Sequence, residues 1–327
     1  MKLPKQADSS IDNILVISLS NIGDAVLTTP VISVLKKQFI LARISVVVGP
    51  KAREIFEHAP YLDKVFIYNK HMSFSDKYQF IRLLRKESFN LVIDLRHTLI
   101  PLFLNTKYRT KLVRKRKKDL PSVADHLSCL EALGINARGA EFILPIHEKD
   151  RKYARKILRG STSSHQYKIA IAPGAASDLK RWSQEKFYSL AKQLEKCLNV
   201  QIIFVGDDTD KERFITYILV TVGLSVMGQT SLMQLGALIE QVDLLITGDS
   251  APLHIARAVK TPVIALFGPT DYIRYGPHRN EGLSVRLDIP CSPCRSPVCK
   301  EQRRMCLDDL TVETVFSIVE KRVKQEK

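Results

Sequence analysis

The sequence contains no long apolar run. Among its 327 residues, no stretch approaches the roughly 18 consecutive apolar residues that a membrane-spanning helix needs. No basic start leads into an apolar stretch, the arrangement typical of a secretory signal. These absences argue against a membrane-spanning or secreted class, and we expect the chain to stay in the cytoplasm, where it is made.

Cysteine is scarce and unevenly placed, unlike in disulfide-rich secreted domains. Two cysteines, Cys129 and Cys197, are isolated. The other four fall in one late segment with C-x2-C-x4-C-x6-C spacing: Cys291, Cys294, Cys299 and Cys306. Four thiols so close together are either ligands of a structural zinc ion or reduced thiols that pack a loop, and the spacing leaves both interpretations open.

Acidic residues are outnumbered, because 50 Lys and Arg against 34 Asp and Glu give a formal net charge of +16. A surface of this sign attracts anionic lipids, phosphorylated substrates and nucleic acids. Much of the charge lies in residues 107–118, "KYRTKLVRKRKK", which form either a solvated loop or a contact with an anionic membrane or acceptor. No zinc-finger, RNP or recognition-helix pattern accompanies this run. We therefore expect no nucleic-acid partner. Because of the basic charge, a nucleic-acid-binding protein is nevertheless kept as the alternative function that is not an enzyme.

Short β-rich apolar runs alternate with amphipathic stretches along the chain, which is typical of parallel sheets covered by helices. The first predicted strands are 13–19, 43–49, 64–68 and 90–95, and the first predicted helices are 25–38, 51–58, 74–87, 123–134 and 148–159. A linker-like stretch at 160–166 is followed by predicted strands at 168–173, 200–206, 242–248 and 262–268. The predicted fold class is α/β, with two Rossmann-like domains, 1–159 and 160–310, facing a cleft that is the default ligand site.

The segment "TGDSAPLHIARA", residues 247–258, joins a predicted strand to a predicted helix. Asp249 and Ser250 are ordinary helix-start residues, so capping explains them. Capping does not explain His254, which lies about one turn beyond Ser250 on the same helix face. The N–H groups and the positive dipole end of a helix start suit a phosphate, so this segment is predicted to hold a diphosphate.

Polar residues follow two other predicted strands of the second domain. "APGAASDLKRW" places Lys180 after a flexible loop, within reach of a phosphate. Trp182 and Ser183 have local explanations there, as a hydrophobic staple on Phe187 and a helix cap. "FVGDDTDKE" places Asp210 where its carboxylate can accept hydrogen bonds from ribose hydroxyls. Three such signals at strand ends of one domain predict a nucleotide diphosphate site.

The turn before the first predicted helix is "SNIGDA", which contains one glycine. Nicotinamide-dependent enzymes carry G-x-G-x-x-G at this place, so a nucleotide-sugar epimerase or dehydrogenase is disfavoured. Considered alone, Asp24 in this turn is explained as the cap of the helix 25–38.

Five segments in order along the chain carry a family resemblance: "SLSNIGDAVLTTP" (18–30), "DHLSCLEALGI" (125–135), "PGAASDLKRW" (173–182), "TGDSAPLHIARA" (247–258) and "PVIALFGPTD" (262–271). Together they resemble glycosyltransferase family 9, the bacterial lipopolysaccharide heptosyltransferases, over nearly the whole chain. The resemblance implies the two-domain GT-B fold, with the C-terminal helix, residues 311–327, packing back across the domains.

The resemblance also implies inverting transfer of a heptose from ADP-heptose to the inner core of lipopolysaccharide, on a lipid A-Kdo-type acceptor at the inner face of the cytoplasmic membrane. The roles it implies are catalytic base for Asp24, donor phosphate contact for Lys180, adenosine ribose contact for Asp210, and diphosphate contacts for Asp249, Ser250, Ala251 and His254. It implies no obligatory metal, although a magnesium ion at the diphosphate is an open alternative.

Two departures from the family pattern concern the sugar. The usual Thr-Gly after the second-domain aspartate is Ser250-Ala251, and "GPTD" continues with Tyr272 instead of the common proline. Transfer from another nucleotide sugar by the same fold is therefore the alternative within this class.

Overall fold

The computed structural model describes residue 3 and residues 11–18, 21–112, 119–159, 167–218, 222–278 and 280–326. The chain divides into two compact units, Met1–Pro145 and Ile146–Lys327. Each unit is built on its own parallel sheet, as the alternation of apolar runs predicts. The linker-like stretch 160–166 and residues 113–118 of the basic run lie outside the described residues.

A five-stranded sheet forms the first unit, in the order β3-β2-β1-β4-β5. Its strands are β1 Asn13–Ile17, β2 Arg43–Val48, β3 Lys64–Ile67, β4 Leu91–Asp94 and β5 Tyr108–Arg109. Every residue of the central strand β1 is buried, because a strand covered on both faces tolerates a continuous apolar run. The first four strands were expected from such runs. The two-residue strand β5 has no apolar pattern of its own.

The first unit contains the helices α1 Ile22–Val26, α2 Thr29–Gln38, α3 Arg53–Phe56, α4 Phe74–Arg85 and α5 Ser122–Ala132, with 3-10 turns at Pro50–Ala52 and Ile100–Leu102. The predicted single helix 25–38 is thus two helices. Pro30 lies in the first turn of α2, where its missing N–H is harmless, whereas a helix running through it would lose a hydrogen bond. The hydroxyls of Thr28 and Thr29 donate to the carbonyls of Ala25 and Val26 at the end of α1.

The second unit has a six-stranded sheet in the order β11-β10-β9-β6-β7-β8. Its strands are β6 Tyr167–Ala172, β7 Val200–Phe204, β8 Leu224–Ser225, β9 Leu244–Gly248, β10 Val263–Leu266 and β11 Gly282–Val285. The edge strand β11 is a further element that the apolar pattern does not predict. It pairs with β10 through Gly282, whose φ of +156° places its missing Cβ position 1.9 Å from the carbonyl oxygen of Val263.

The helices of the second unit are α6 Glu148–Arg159, α7 Gln184–Cys197, α8 Asp208–Ile218, α9 Leu232–Ile239, α10 Ala251–Ala258, α11 Tyr272–Tyr275, α12 Met305–Asp308 and α13 Val312–Glu326. A 3-10 turn covers Asp178–Lys180. The last helix, α13, packs on α7 and buries Val315, Val319 and Val323 completely. This stripe at four-residue spacing forms one apolar face of an amphipathic helix.

The helix α6 belongs to the second unit, whereas the sequence analysis places it at the end of the domain 1–159. It packs along α9, and Nε of Arg151 lies 2.6 Å from Oε2 of Glu240. The hydroxyl of Tyr153 also donates to the carbonyl of Gln229 at 2.6 Å. The periodicity of 148–159 defines a helix with one apolar face, but that face does not specify its neighbour. The boundary accordingly follows Pro145 instead of residue 159.

Within the described ranges, no helix is both long and apolar enough to cross a membrane.

Candidate active site

Both sheets contain a point at which the strand order reverses. In the second unit the chain runs from β6 to β7 and β8 on one side and then returns to β9 on the other. In the first unit it runs from β1 to β2 and β3 and then returns to β4. Ligands of open α/β sheets bind beyond the carboxyl ends of the two strands at such a reversal. The candidate positions are therefore the ends of β6 and β9 in the second unit and of β1 and β4 in the first.

Lys180 and Asp249 meet at the reversal point of the second sheet. Lys180 ends the 3-10 turn in the loop after β6, and Asp249 directly follows β9. Nζ of Lys180 lies 2.6 Å from Oδ2 of Asp249, and their side chains are 36% and 8% exposed. The ammonium group thus offsets the charge of a buried carboxylate and retains N–H donors for a second anion.

The residues next to Lys180 fix the loop that carries it. The Ser183 hydroxyl caps α7 by accepting from the N–H of Lys186 at 3.1 Å. The ring of Trp182 meets the Phe187 ring edge-on, with centroids 4.9 Å apart, and its Nε1 donates to the carbonyl of Leu310 at 2.9 Å. The predicted cap and staple are both confirmed, and they hold the backbone of Lys180 beside the sheet.

The start of α10 lies next to the Lys180–Asp249 pair. Ser250 is the N-cap residue, yet its hydroxyl bonds to the Thr247 hydroxyl at 2.9 Å instead of capping a backbone N–H. Pro252 in the first turn has no N–H, so the first turn offers the N–H groups of Ala251 and Leu253, which have no carbonyl partner within the helix. A helix start with this composition presents backbone donors and the positive dipole end to a ligand.

His254 is buried within α10, with 4% of its surface exposed. Burial lowers the pKa of its imidazole to about 4. The negative charge of Asp249 opposes this decrease, whereas the positive charges of Arg257 and Lys180 add to it. The ring is therefore neutral near pH 7, so His254 contributes a neutral imidazole and not a cation to this site. Its Nδ1 atom is buried without a hydrogen-bond partner, although a buried polar atom normally has one.

Asp210 lies in the first turn of α8, after β7. The N–H of Asp210 donates to Oδ1 of Asp207 at 2.8 Å, so the Asp207 side chain caps the start of α8. The Asp210 carboxylate packs against two glycines, Gly174 in the loop after β6 and Gly206 after β7. A Cβ atom at position 174 would lie 2.1 Å from its Oδ2 atom. Burial raises the pKa of Asp210, and the charge of Asp207 adds to this rise.

Asp24 lies beyond the end of β1, at the reversal point of the first sheet. It is the third residue of α1, whose N-cap is Asn21, so the interpretation of Asp24 as the cap of a helix 25–38 is wrong. The sequence places the helix start too late because the glycine at position 23 suggests a loop. The Asn21 side-chain amide donates to Oδ2 of Asp24 at 3.1 Å, and the residue is half-buried.

The loop after β4 is also part of this reversal point, although the apolar pattern of the sequence does not predict a site there. Asp94 is 5% exposed and accepts hydrogen bonds from the N–H groups of Arg96 and Thr98 at 2.8 and 2.6 Å. Burial raises the pKa of Asp94, and these hydrogen bonds oppose the rise. His97 has a φ of +58°, and its Nε2 atom is buried without a partner. An aspartate that ends an apolar strand, in "LVIDLRHT", is the signal that could have revealed this loop.

The late cysteine segment lies against the loop that follows β10. The Ser292 hydroxyl donates to the carbonyl of Gly268 at 2.7 Å, and Nη2 of Arg295 lies 2.6 Å from Oδ2 of Asp271. Cys306 is buried, Cys291 is half-buried, and Cys294 and Cys299 are exposed, all as free thiols. Burial raises the pKa of the Cys306 thiol, and the other three thiols of the segment contribute. In the part of the chain that is described, no three potential ligands are grouped to hold a metal ion.

Known proteins provide an independent comparison. The profile of glycosyltransferase family 9 (heptosyltransferase) matches residues 96–304. A lipopolysaccharide heptosyltransferase 3 from Escherichia coli is 28% identical over 91% of this chain and 96% of its own length. Another protein of that name from Escherichia coli is 31% identical over 78% and 82% of the two chains.

Solved structures agree with this result. The crystal structure of the glycosyl transferase family 9 protein from Veillonella parvula has a TM-score of 0.81 at 25% identity and covers 95% of this chain and 96% of that one. The ADP-heptose lps heptosyltransferase II of Escherichia coli has a TM-score of 0.75 at 22% identity, covers 96% and 99% of the two chains, and shows the fold alone. The family profile spans more than half of the sequence, so this chain belongs to glycosyltransferase family 9 and is a glycosyltransferase of the GT-B fold.

Proposed function

We propose that this chain transfers a heptose from ADP-heptose to an inner-core acceptor of lipopolysaccharide, with inversion at the anomeric carbon. The observation that carries the proposal is the contact between Lys180 and Asp249 beside the start of α10. It combines a cation and helix-start N–H groups at the strand ends where a nucleotide is expected. The lipopolysaccharide heptosyltransferases that are 28% and 31% identical support the choice of sugar and acceptor.

The second unit holds the donor in this proposal. The ammonium group of Lys180 and the N–H groups of Ala251 and Leu253 donate to the diphosphate, and the hydroxyl of Ser250 lies at the same helix start. The Asp210 carboxylate accepts hydrogen bonds from the ribose hydroxyls. A ligand oxygen at Nδ1 of His254 would complete the hydrogen bonding of that neutral imidazole. Negative charge develops on the diphosphate as ADP leaves, and these donors stabilise it.

The first unit supplies the base. The acceptor hydroxyl oxygen attacks the anomeric carbon of the heptose while its proton passes to the carboxylate of Asp24. The new glycosidic bond forms as the bond from the anomeric carbon to the diphosphate oxygen breaks, and ADP departs with that electron pair. The amide of Asn21, 3.1 Å from Oδ2 of Asp24, orients the carboxylate for this proton transfer.

Metal ions have no obligatory role in the proposed transfer. The acidic residue at the diphosphate position is Asp249, and its Oδ2 atom is engaged by Lys180. Magnesium is held through carboxylates and substrate phosphates in near-octahedral geometry, and a single engaged carboxylate fits that donor set poorly. Four thiolates are a set that zinc accepts, but the thiols as placed form no such group among the residues that the structure describes. Structural zinc at the late cysteines stays a prediction.

The proposed place of action is the inner face of the cytoplasmic membrane. The proposed acceptor is a lipid with anionic sugars and phosphates. The protein has a net charge of +16, which attracts it to a membrane surface that contains such lipids. We propose peripheral contact with the bilayer for this reason.

A donor screen tests the proposed function. The purified protein is incubated with lipid A carrying the first inner-core sugars and with ADP-heptose or ADP-, UDP- or GDP-hexoses, and products are identified by mass spectrometry. We expect one heptose to be added from ADP-heptose, with an inverted anomeric configuration by NMR. Preferential transfer of a hexose would overturn the choice of donor, and retained configuration would overturn the role of Asp24.

A further inference from the structure

An exposed apolar surface lies on the first unit, on α4 and on the residues that follow the loop after β4. Its members are large apolar or aromatic side chains of α4 and of the segment after β4. They are Phe74 (91% exposed), Tyr78 (63%), Leu99 (64%), Leu102 (46%) and Phe103 (50%). We call these five residues the apolar patch. Exposed apolar side chains grouped on adjoining elements mark a binding surface, whereas single exposed residues are ordinary.

The members of the apolar patch lie on two elements that pack against each other. Phe74 and Tyr78 are four residues apart on α4 and therefore share one face of the helix. Arg85 lies on the same face, near the end of α4, and its Nε donates to the carbonyl of Phe103 at 2.6 Å. The neighbouring residues Ile100 and Leu104 are buried in the same core as Phe80 and Leu84 of α4. The segment is thus packed on α4 by its inner side chains and exposes Leu99, Leu102 and Phe103.

Basic side chains surround the apolar patch. Nζ of Lys77 lies 5.4 Å from the Phe74 ring centroid, and the guanidinium carbon of Arg82 lies 5.9 Å from the Tyr78 ring centroid. On the other side, Nη1 of Arg109 donates to the carbonyl of Pro101 at 2.9 Å. The basic run that begins at residue 107 therefore starts at the edge of the patch.

We propose that the apolar patch and its basic rim dock this protein on an anionic lipid bilayer. Aromatic and leucine side chains enter the interface between headgroups and acyl chains, while long basic side chains contact the lipid phosphates. A protein partner matching this surface would need acidic residues around an apolar centre. A bilayer of anionic lipids supplies both features at once, so charge complementarity favours it. The choice of a lipid bilayer rests partly on the proposed function. In that proposal the acceptor is a lipid, and it is bound by the first unit, which carries Asp24.

Vesicle binding tests the proposal without measuring sugar transfer. The full chain is mixed with vesicles of phosphatidylglycerol and phosphatidylethanolamine, or of phosphatidylcholine alone, and binding is measured by flotation at low and high salt. The double variant Phe74→Ser, Phe103→Ser should bind at least about tenfold more weakly at both salt levels, because burial of an aromatic side chain is lost. The matched control Ile40→Ser, Leu41→Ser removes side chains that are 72% and 95% exposed in the turn before β2 and should bind as wild type does.

The charge contribution is tested separately. Lys77→Gln, Arg82→Gln should weaken binding to the anionic vesicles at low salt by about fivefold per residue, with less effect at high salt because exposed charges are screened. Lys152→Gln, Lys156→Gln on α6 removes two exposed lysines of the second unit as a control. Arg85 is left unchanged because it anchors Phe103. Melting temperatures verify that each variant is folded.

Several outcomes would overturn the proposal. The proposal fails if the wild type and the Phe74, Phe103 variant bind vesicles equally well. It also fails if only the Ile40, Leu41 control loses vesicle binding. A concentration-dependent dimer in sedimentation without lipid, abolished by the Phe74, Phe103 variant, would assign the patch to a second copy of the chain. Failure of the donor screen would leave the vesicle result standing, so the two proposals fail separately.

Discussion

The reversal points of the two sheets have the same topology but carry different functional groups. In the second unit, a cation lies at the strand ends, because Lys180 is held 2.6 Å from the buried carboxylate of Asp249. In the first unit, carboxylates lie there, since Asp24 accepts from the Asn21 amide and Asp94 from backbone N–H groups. The comparison teaches that the topology determines where a site lies, whereas the loops determine what it binds. An ammonium donor suits a departing diphosphate, and a carboxylate suits removal of a proton.

Neutralising Asp24 should have the largest effect on turnover. Asp24→Asn keeps the shape of the side chain but removes its capacity to accept a proton, so turnover should fall by about 10²-fold or more. ADP affinity and melting temperature should stay close to wild type. Steady-state rates of heptose transfer to detergent-dispersed acceptor measure this effect.

The chain offers a matched control for this variant. Asp76 is the third residue of α4 behind the cap Ser73, as Asp24 is the third residue of α1 behind Asn21. Asp76→Asn should transfer sugar at the wild-type rate. If Asp24→Asn retained most of its activity, Asp24 would have only a structural role and the contrast between the two reversal points would fail.

His254 distinguishes the second unit by its dependence on pH. Its folded-state pKa of about 4 lies below the ordinary value of 6.5, so the unfolded chain takes up the proton first. The stability contributed by the neutral imidazole is present above pH 6.5 and is lost as the pH falls towards 4. Between pH 7 and 5 this loss amounts to roughly 1 to 2 kcal/mol of unfolding free energy.

Melting temperatures at both pH values measure the contribution of His254. The wild type should lose more stability on acidification than His254→Gln, whereas His278→Gln, which replaces an exposed histidine of the same unit, should follow the wild type. Identical acid sensitivity of wild type and His254→Gln would show that the imidazole is not held neutral by burial.

A smaller effect is expected at Gly174. An added Cβ atom would lie 2.1 Å from Oδ2 of Asp210, so Gly174→Ala should displace this carboxylate from the position at which we propose that it binds the ribose. Loss of a hydrogen bond weakens binding by about threefold to tenfold. ADP affinity should fall by this factor while pyrophosphate affinity is unchanged, and Ala176→Gly in the same loop should alter neither. Equal weakening of ADP and pyrophosphate would place Asp210 away from the ribose.

Much of the fold follows from local sequence patterns. The buried strands β1, β6 and β9 are rich in apolar residues, and the helix 184–197 has apolar positions at helical spacing, so each is predictable by itself. The neighbour of α6 is not predictable, because its apolar face buries Ala154 and Leu158 without specifying the partner. The edge strand β11 has only half of its residues apolar and depends on pairing with β10.

The candidate site shows the same division. Position after a strand predicts Lys180 and Asp249 as site residues, and the family resemblance adds Asp24. The contact between Lys180 and Asp249 joins residues 69 positions apart. Such a contact exists only because β6 and β9 are neighbours in the sheet. Burial of His254, which determines its charge, likewise depends on side chains that the sequence places far from it.

The central claim is that the reversal point of the second sheet, with Lys180 as its cation, holds the donor diphosphate. Calorimetric titration with ADP of the wild type, Lys180→Ala and the exposed-lysine control Lys192→Ala tests this claim most directly. A lost charged hydrogen bond corresponds to at least about a tenfold loss of affinity, so Lys180→Ala should show that increase in Kd and Lys192→Ala none. Wild-type affinity in a correctly folded Lys180→Ala variant would contradict the claim.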